Sequence, residues 1–70
     1  MPKFVREALE KQKLMAAYSK RPPYQRNDYL GWIAQAKLEA TKKRRLDQML
    51  SELRAGDKYM NMAWSGDSHA

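Results

Sequence analysis

The sequence has no cysteine, so it contains neither a disulfide to brace the fold nor a thiolate to bind a metal or attack a substrate. Glycine and proline are also scarce, at three each, while 43% of the residues are apolar. This composition favours a folded, helix-rich chain over a disordered one. With 70 residues the chain is long enough for one small domain.

Long apolar runs are missing as well. No stretch reaches the ~18 apolar residues that a membrane-spanning helix needs. The first residues, Met1–Glu7, include charges at positions where a signal peptide requires an apolar core. We therefore expect a cytoplasmic protein with no ordinary export signal and no spanning segment.

The residues that catalysis usually needs are few. The one histidine, His69, stands two residues after an acid near the end of the chain. No glycine-rich phosphate loop, metal-ligand cluster or nucleophile–base pair can be assembled from the sequence. We expect a protein that is not an enzyme and that uses no cofactor and no metal.

Acidic residues are in the minority, eight against 14 lysines and arginines, which gives a net charge of +6. Such a balance favours polyanionic or acidic partners. Helix-turn-helix and zinc-finger patterns are absent from the sequence, so any binding of nucleic acid would depend on phosphate contacts and on salt concentration.

The apolar spacing near the N-terminus predicts one amphipathic helix over about Lys3–Tyr18. Leu14 points away from the apolar stripe of that helix, so a break near Lys11–Lys13 is a second interpretation. The pair Pro22-Pro23 ends this helix and can begin the next one.

The second helix is predicted over about Pro23–Lys37, with an apolar face formed by Tyr29, Trp32, Ile33 and Ala36. Gly31 lies on the opposite face, where it destabilises the helix by ~1 kcal/mol relative to alanine and has no evident role.

The third helix is predicted to begin at Glu39 or Ala40 and to end at Ala55, before Gly56, a residue suited to the left-handed position after a helix. Its apolar face consists of Leu46, Met49, Leu50 and Leu53. The junction before it contains neither glycine nor proline, so by propensity alone the second and third helices could be continuous.

Beyond Gly56, the segment Asp57–Trp64 alternates in a strand-like period, but a lone strand in a helical domain has no partner. We expect an extended segment lying across the helices. The fold class is therefore a small all-α domain of three main helices over residues 1–64, followed by a mobile polar tail, residues 65–70.

Five basic residues surround the start of the third helix and form the candidate anion- or partner-binding site: Lys37, Lys42, Lys43, Arg44 and Arg45. Cations are disfavoured near a helix N-terminus, so the run predicts an anion held there. The structural alternative pairs Arg44 or Arg45 with Asp28 or an acid of the first helix, and Lys43 with Glu39 or Asp47.

Two aromatic residues outside the predicted helices, Tyr59 and Trp64, are the better candidates for exposed stacking on bases. Trp64 together with the basic face would also suit a peripheral contact with an anionic membrane, a weaker interpretation.

The order and spacing of residues along much of the chain resemble the YdeI/OmpD-associated, or bacteriocin-protection, family. The matching positions are Ala8-Leu9, Tyr18, Pro22-Pro23, Arg26, Tyr29, Trp32-Ile33, Ala36-Lys37, Thr41, Arg44-Arg45-Leu46, Met49-Leu50 and Gly56. The chain departs from the family pattern at Lys42, where arginine is common, and in lacking a proline between the second and third helices.

The resemblance implies a helical domain, a turn before the third helix, resistance to cationic peptides, association with an outer-membrane porin and a periplasmic location. The charge of +6 fits poorly with binding of cationic peptides, and the N-terminal residues fit poorly with export. The expected function is a non-enzymatic binding or stress-protection module with a protein partner or a polyanion. The alternative is nucleic-acid binding through phosphates at the basic start of the third helix.

Overall fold

The computed structural model describes residues 1–63. These form the helices α1 (Lys3–Lys11), α2 (Met15–Lys20), α3 (Pro23–Gln35) and α4 (Glu39–Ala55), then the short strands β1 (Lys58–Tyr59) and β2 (Met62–Ala63). The all-α fold class is confirmed, with four helices over the described range where three main ones were expected. Trp64 and the predicted tail, residues 65–70, lie outside the described residues.

The expected first helix is interrupted, as the alternative interpretation held. Lys13 adopts a left-handed conformation with φ of 60°. The Leu14 amide donates to the Leu9 carbonyl at 2.8 Å, and the Lys13 amide donates to the Glu10 carbonyl at 3.1 Å. This pattern is a Schellman motif, in which the apolar residues at its two ends usually pack together. Leu9 and Leu14 are both buried in the core, which explains why Leu14 lies off the stripe of α1.

The two remaining helix junctions are extended. Pro22 and Pro23 begin α3 as predicted, and α3 ends at Gln35, two residues before the predicted end. Ala36 and Leu38 have extended backbones, so a turn separates α3 from α4 without glycine or proline. The turn that the resemblance implied is confirmed. The bounds of α4 also agree with prediction, and Gly56 ends it with φ of 84°.

The segment after α4 is a hairpin instead of one extended stretch. Strands β1 and β2 pair antiparallel, with Lys58 opposite Ala63 and Tyr59 opposite Met62. The turn residues Met60 and Asn61 both have positive φ, 51° and 66°, as a tight two-residue hairpin turn requires. The strand-like period of this segment therefore does find a partner, because the chain reverses and supplies its own.

The core lies between the four helices, and the hairpin packs on α4. Its largest fully buried apolar side chains come from α1, α3 and α4: Tyr29, Leu9, Ile33, Met49 and Val5. Tyr59 and Met60 of the hairpin pack against this cluster. Because burial of side chains of this size is the main source of stability in a small domain, the sequence-predicted apolar faces of α3 and α4 hold the fold together.

Candidate functional site

Arg45 is turned toward α3 instead of toward a partner. Its guanidinium donates a hydrogen bond to the Trp32 carbonyl at 2.6 Å and lies 5.2 Å from the centre of the Trp32 ring. This supports a structural role for Arg45, although the predicted acidic partner was wrong. Asp28 accepts a hydrogen bond from the Tyr59 hydroxyl instead.

Lys42 and Lys43 lie beside the start of α1. The Lys42 ammonium is 4.0 Å from the Glu39 carboxylate and 5.9 Å from the centre of the Phe4 ring. Glu39 therefore pairs with Lys42, which is three residues later on the same face of α4. The predicted pairing of Glu39 with Lys43 was wrong.

These two lysines line a concave surface between α1 and α4, which we name the basic pocket. It has a volume of about 410 Å³ and is lined by Phe4, Glu39, Lys42, Lys43 and Leu46. Apolar side chains thus lie directly beside ammonium groups. The arrangement suits a ligand that presents both negative charge and apolar surface.

The remaining two predicted site residues, Lys37 and Arg44, are exposed and do not line the basic pocket. Within residues 1–63, neither their side chains nor that of Lys43 makes a hydrogen bond or an ion pair. The structure therefore brings Lys42 and Lys43 together, leaves Lys37 and Arg44 free at the surface and uses Arg45 internally.

The start of α4 also lacks a side-chain cap. Leu38 occupies the N-cap position, has no polar side chain to accept a hydrogen bond and is 69% exposed. The first amide groups of α4 therefore receive no side-chain acceptor at that position.

A second concave surface lies between α3 and the hairpin, and we name it the hairpin groove. Its volume is about 430 Å³, and its lining residues are Asn27, Asp28, Gly31, Trp32, Gln35, Tyr59, Met60 and Met62. Sequence reasoning missed this groove because it did not predict the hairpin. The one available signal was Gly31, a helical glycine without a packing role.

A buried carboxylate, Glu52, holds the hairpin in place. Its Oε1 and Oε2 accept hydrogen bonds from the backbone amides of Met60 and Asn61, each at 2.8 Å. Tyr29 donates its hydroxyl to Oε1, and Gln48 donates its amide to Oε2 at 3.2 Å. One side chain of α4 thus fixes both residues of the hairpin turn.

The pKa of Glu52 reflects two opposing effects. Burial raises it, but the hydrogen bonds from Tyr29, Asn61, Met60 and Gln48 outweigh burial and leave the pKa below its ordinary value of 4.5. The carboxylate is therefore ionised at neutral pH, the state in which it accepts all four hydrogen bonds.

Arg21 completes this buried polar network from the C-terminal end of α2. It is 4% exposed and donates to the Glu52 backbone carbonyl at 3.0 Å and to the Gln25 side chain at 3.1 Å. Buried charges normally require such partners. Sequence reasoning missed both Arg21 and Glu52, since a single chain does not reveal which charged residues will be buried.

Tyr59 connects the hairpin to α3. Its ring makes edge-to-face contacts with Tyr24 and Tyr29, at centroid distances of 6.0 Å and 5.4 Å. Burial and the hydrogen bond to Asp28 raise the pKa of the Tyr59 hydroxyl to about 12. It therefore stays protonated at neutral pH and keeps donating to Asp28. The expectation that Tyr59 is exposed for base stacking is not met.

Residues 1–56, with this four-helix arrangement and its Gly56 terminus, match the family described as bacteriocin-protection, YdeI or OmpD-associated. The chain belongs to this family. The match ends at Gly56, so the hairpin lies beyond the matched family region, whereas the basic pocket and the α3 residues that line the hairpin groove fall inside it. Neither a curated protein nor a solved structure matches the chain.

Within residues 1–63, none of the helices is long and apolar enough to cross a membrane. Histidine and acidic side chains form no group of three or more that could hold a metal ion in the same range.

Proposed function

We propose that the chain is a non-enzymatic binding module of the bacteriocin-protection family and that it recognises an acidic protein surface through the basic pocket. The observation that supports this most is the position of Lys42 and Lys43 beside Phe4 and Leu46. A protein surface supplies carboxylates and apolar side chains together, and both are needed to fill this pocket.

The charge distribution also supports an anionic partner. Lys43, Lys37 and Arg44 have no internal ion pair within the described residues, so their charges are available for a partner. Close complementary charges raise the rate of association and select between partners. A cytoplasmic location is part of the same proposal.

Nucleic-acid binding through phosphates is the second candidate. It is favoured by the exposure of Lys37, Lys43 and Arg44 and by the absence of a side-chain cap on α4. It leaves the apolar part of the basic pocket without a use, since a phosphate backbone offers no matching surface. We therefore place it after the acidic protein partner.

The test is an amide chemical-shift titration of the labelled full chain with two probes, an acidic oligoglutamate peptide containing leucines and a short mixed-sequence DNA duplex. Each is added at low and at physiological salt. Shifts at Phe4 and Lys42–Leu46 with the peptide would support the protein partner. Shifts with the duplex that disappear at physiological salt would support the nucleic-acid candidate.

Two variants with equal net charge make the test specific. Lys42→Gln/Lys43→Gln removes the charges of the basic pocket, whereas Lys11→Gln/Lys20→Gln removes two exposed charges elsewhere. Only the first should weaken peptide binding. Equal weakening by both variants, or no shifts with either probe at low salt, would show that the basic pocket is not a binding site for anions.

A further inference from the structure

The geometry points to a second binding site, the hairpin groove, which prefers positive charge where the basic pocket prefers negative charge. We infer that it binds a lysine or arginine side chain of an extended peptide. This inference is independent of the proposed function, because it concerns different residues on a different surface. It rests on the charge, the chemistry and the rigidity of the groove lining.

The charge of the lining is unusual for this chain. The sequence contains 14 lysines and arginines, yet none of them is among the described residues that line the groove. Within residues 1–63, the one lining residue with a formal charge at neutral pH is Asp28. A concave surface that is lined by a carboxylate and by no cation is locally complementary to a positively charged ligand, even though the net charge of the whole chain is +6.

The rest of the lining suits the long apolar stem of such a side chain. Tyr59 supplies an aromatic ring, and such rings attract ammonium and guanidinium groups, as the Trp32 ring already does with the Arg45 guanidinium at 5.2 Å. Met60 and Met62 supply flexible thioether chains that adapt to methylene groups. A lysine or arginine could therefore place its charge near Asp28 and its stem against these residues.

Gly31 lines the groove without a side chain, so the backbone of α3 is accessible there. A Cβ atom at this position would meet nothing within 4 Å, so internal packing does not require glycine there. Glycine in a helix interior nevertheless destabilises it by ~1 kcal/mol relative to alanine. A peptide backbone lying against α3 would account for it, because glycine permits close approach.

The groove is also fixed in shape before any ligand arrives. Glu52 holds the Met60 and Asn61 amides at 2.8 Å, and the Tyr59 hydroxyl donates to the Asp28 carboxylate. The residue at the turn, Met60, keeps a positive φ of 51°, a conformation that costs free energy in a residue other than glycine. Such rigidity lowers the entropy lost on binding.

The experiment is a chemical-shift titration of the labelled full chain with a capped alanine–lysine pentapeptide and with a matched peptide in which glutamine replaces lysine. We expect the lysine peptide to shift Gly31, the Trp32 indole and the amides of Tyr59–Met62, and the glutamine peptide to shift them far less. Asp28→Asn should weaken binding about fivefold, a typical magnitude for one partly exposed ion pair. Asp47→Asn, the same change on exposed α4 surface, should not.

Gly31→Leu provides a second route, since a leucine side chain would occupy the groove while the Asp28 carboxylate stays in the chain. It should abolish the lysine-dependent shifts while leaving the remaining spectrum unchanged. Equal binding of the two peptides, shifts confined to other surfaces, or no shifts at all would overturn the inference. Shifts at the groove on dilution of the protein alone would assign the groove to a second copy of the chain and would also overturn it.

Discussion

Both ends of α4 hold charges that the helix dipole disfavours, cations near the positive end and Glu52 near the negative end. At the C-terminal end the protein satisfies the charge itself, with hydrogen bonds from Tyr29, Gln48 and two turn amides. At the N-terminal end Lys42 has the exposed Glu39 at 4.0 Å, and Lys43 has no internal partner within the described residues. A disfavoured charge with internal partners serves the fold, whereas one without them is available to a ligand.

The largest effect should come from breaking the C-terminal arrangement. Glu52→Gln leaves one of the two turn amides facing an NH₂ group, and we expect a loss of about 2–3 kcal/mol in the free energy of unfolding, typical of hydrogen bonds to a buried charge. Urea denaturation measures it. Asp47→Asn is the matched control on the exposed surface of α4 and should change stability by less than about 0.5 kcal/mol. Similar values for the two variants would contradict the structural role of Glu52.

The contribution of Glu52 to stability should also depend on pH, which distinguishes it from an exposed carboxylate. Because the folded-state pKa of Glu52 lies below its ordinary value of 4.5, its contribution to stability is fully present above that value. It is lost as pH falls below 4.5 and through the lower pKa of the folded state. Unfolding free energies measured from neutral pH downward should therefore decrease less steeply in Glu52→Gln than in the original chain. Parallel curves would mean that Glu52 titrates alike in both states.

Adjacent arginines offer a test within the N-terminal half of α4. Arg45→Gln removes the hydrogen bond to the Trp32 carbonyl and the contact with its ring, so we expect a loss of about 1 kcal/mol in unfolding free energy. Arg44→Gln removes an exposed charge and should alter stability by less than about 0.5 kcal/mol. Thermal unfolding would compare them. Equal losses would indicate that Arg44 has a structural contact in solution.

The smallest expected effects concern two of the three glycines, Gly31 and Gly56. Gly56→Ala puts a Cβ atom at φ of 84° and should destabilise by about 1 kcal/mol. Gly31→Ala adds a Cβ atom in open space on α3 and should stabilise by up to about 1 kcal/mol. Urea denaturation should therefore show changes of opposite sign in the free energy of unfolding of the two variants. A destabilising Gly31→Ala would mean that glycine is needed for the fold and would remove one argument for the groove.

Much of the helical frame follows from local rules. Proline at the start of α3 and glycine after α4 mark the outer bounds of these helices, because such signals act over a few residues, whereas the turn between α3 and α4 was implied by the family resemblance. Leu14, which lies off the apolar stripe of α1, indicated the break after α1 only as a second interpretation. Local patterns did not decide between one helix and two, since Lys13 is an uncommon residue for a left-handed position.

The hairpin and its groove could not be predicted for a different reason. A Met-Asn turn lacks the glycine that usually marks a tight hairpin. It is held by Glu52, which lies eight and nine residues earlier on a helix, where a glutamate is ordinarily read as exposed. The cluster of basic residues was visible in the sequence, but its division into pocket-lining, free and internal side chains depended on the packing of α1 and α3 on α4.

The attachment of the hairpin turn through one carboxylate has a consequence for hydrogen exchange. The amides of Met60 and Asn61 are protected by a side-chain acceptor, so any event that withdraws Glu52 exposes both to solvent together. The hairpin should therefore open as one unit while the four helices stay closed, a local unfolding step that precedes global unfolding. One wall of the groove would disappear in that step, so the site would exist only while a single helix residue remains charged.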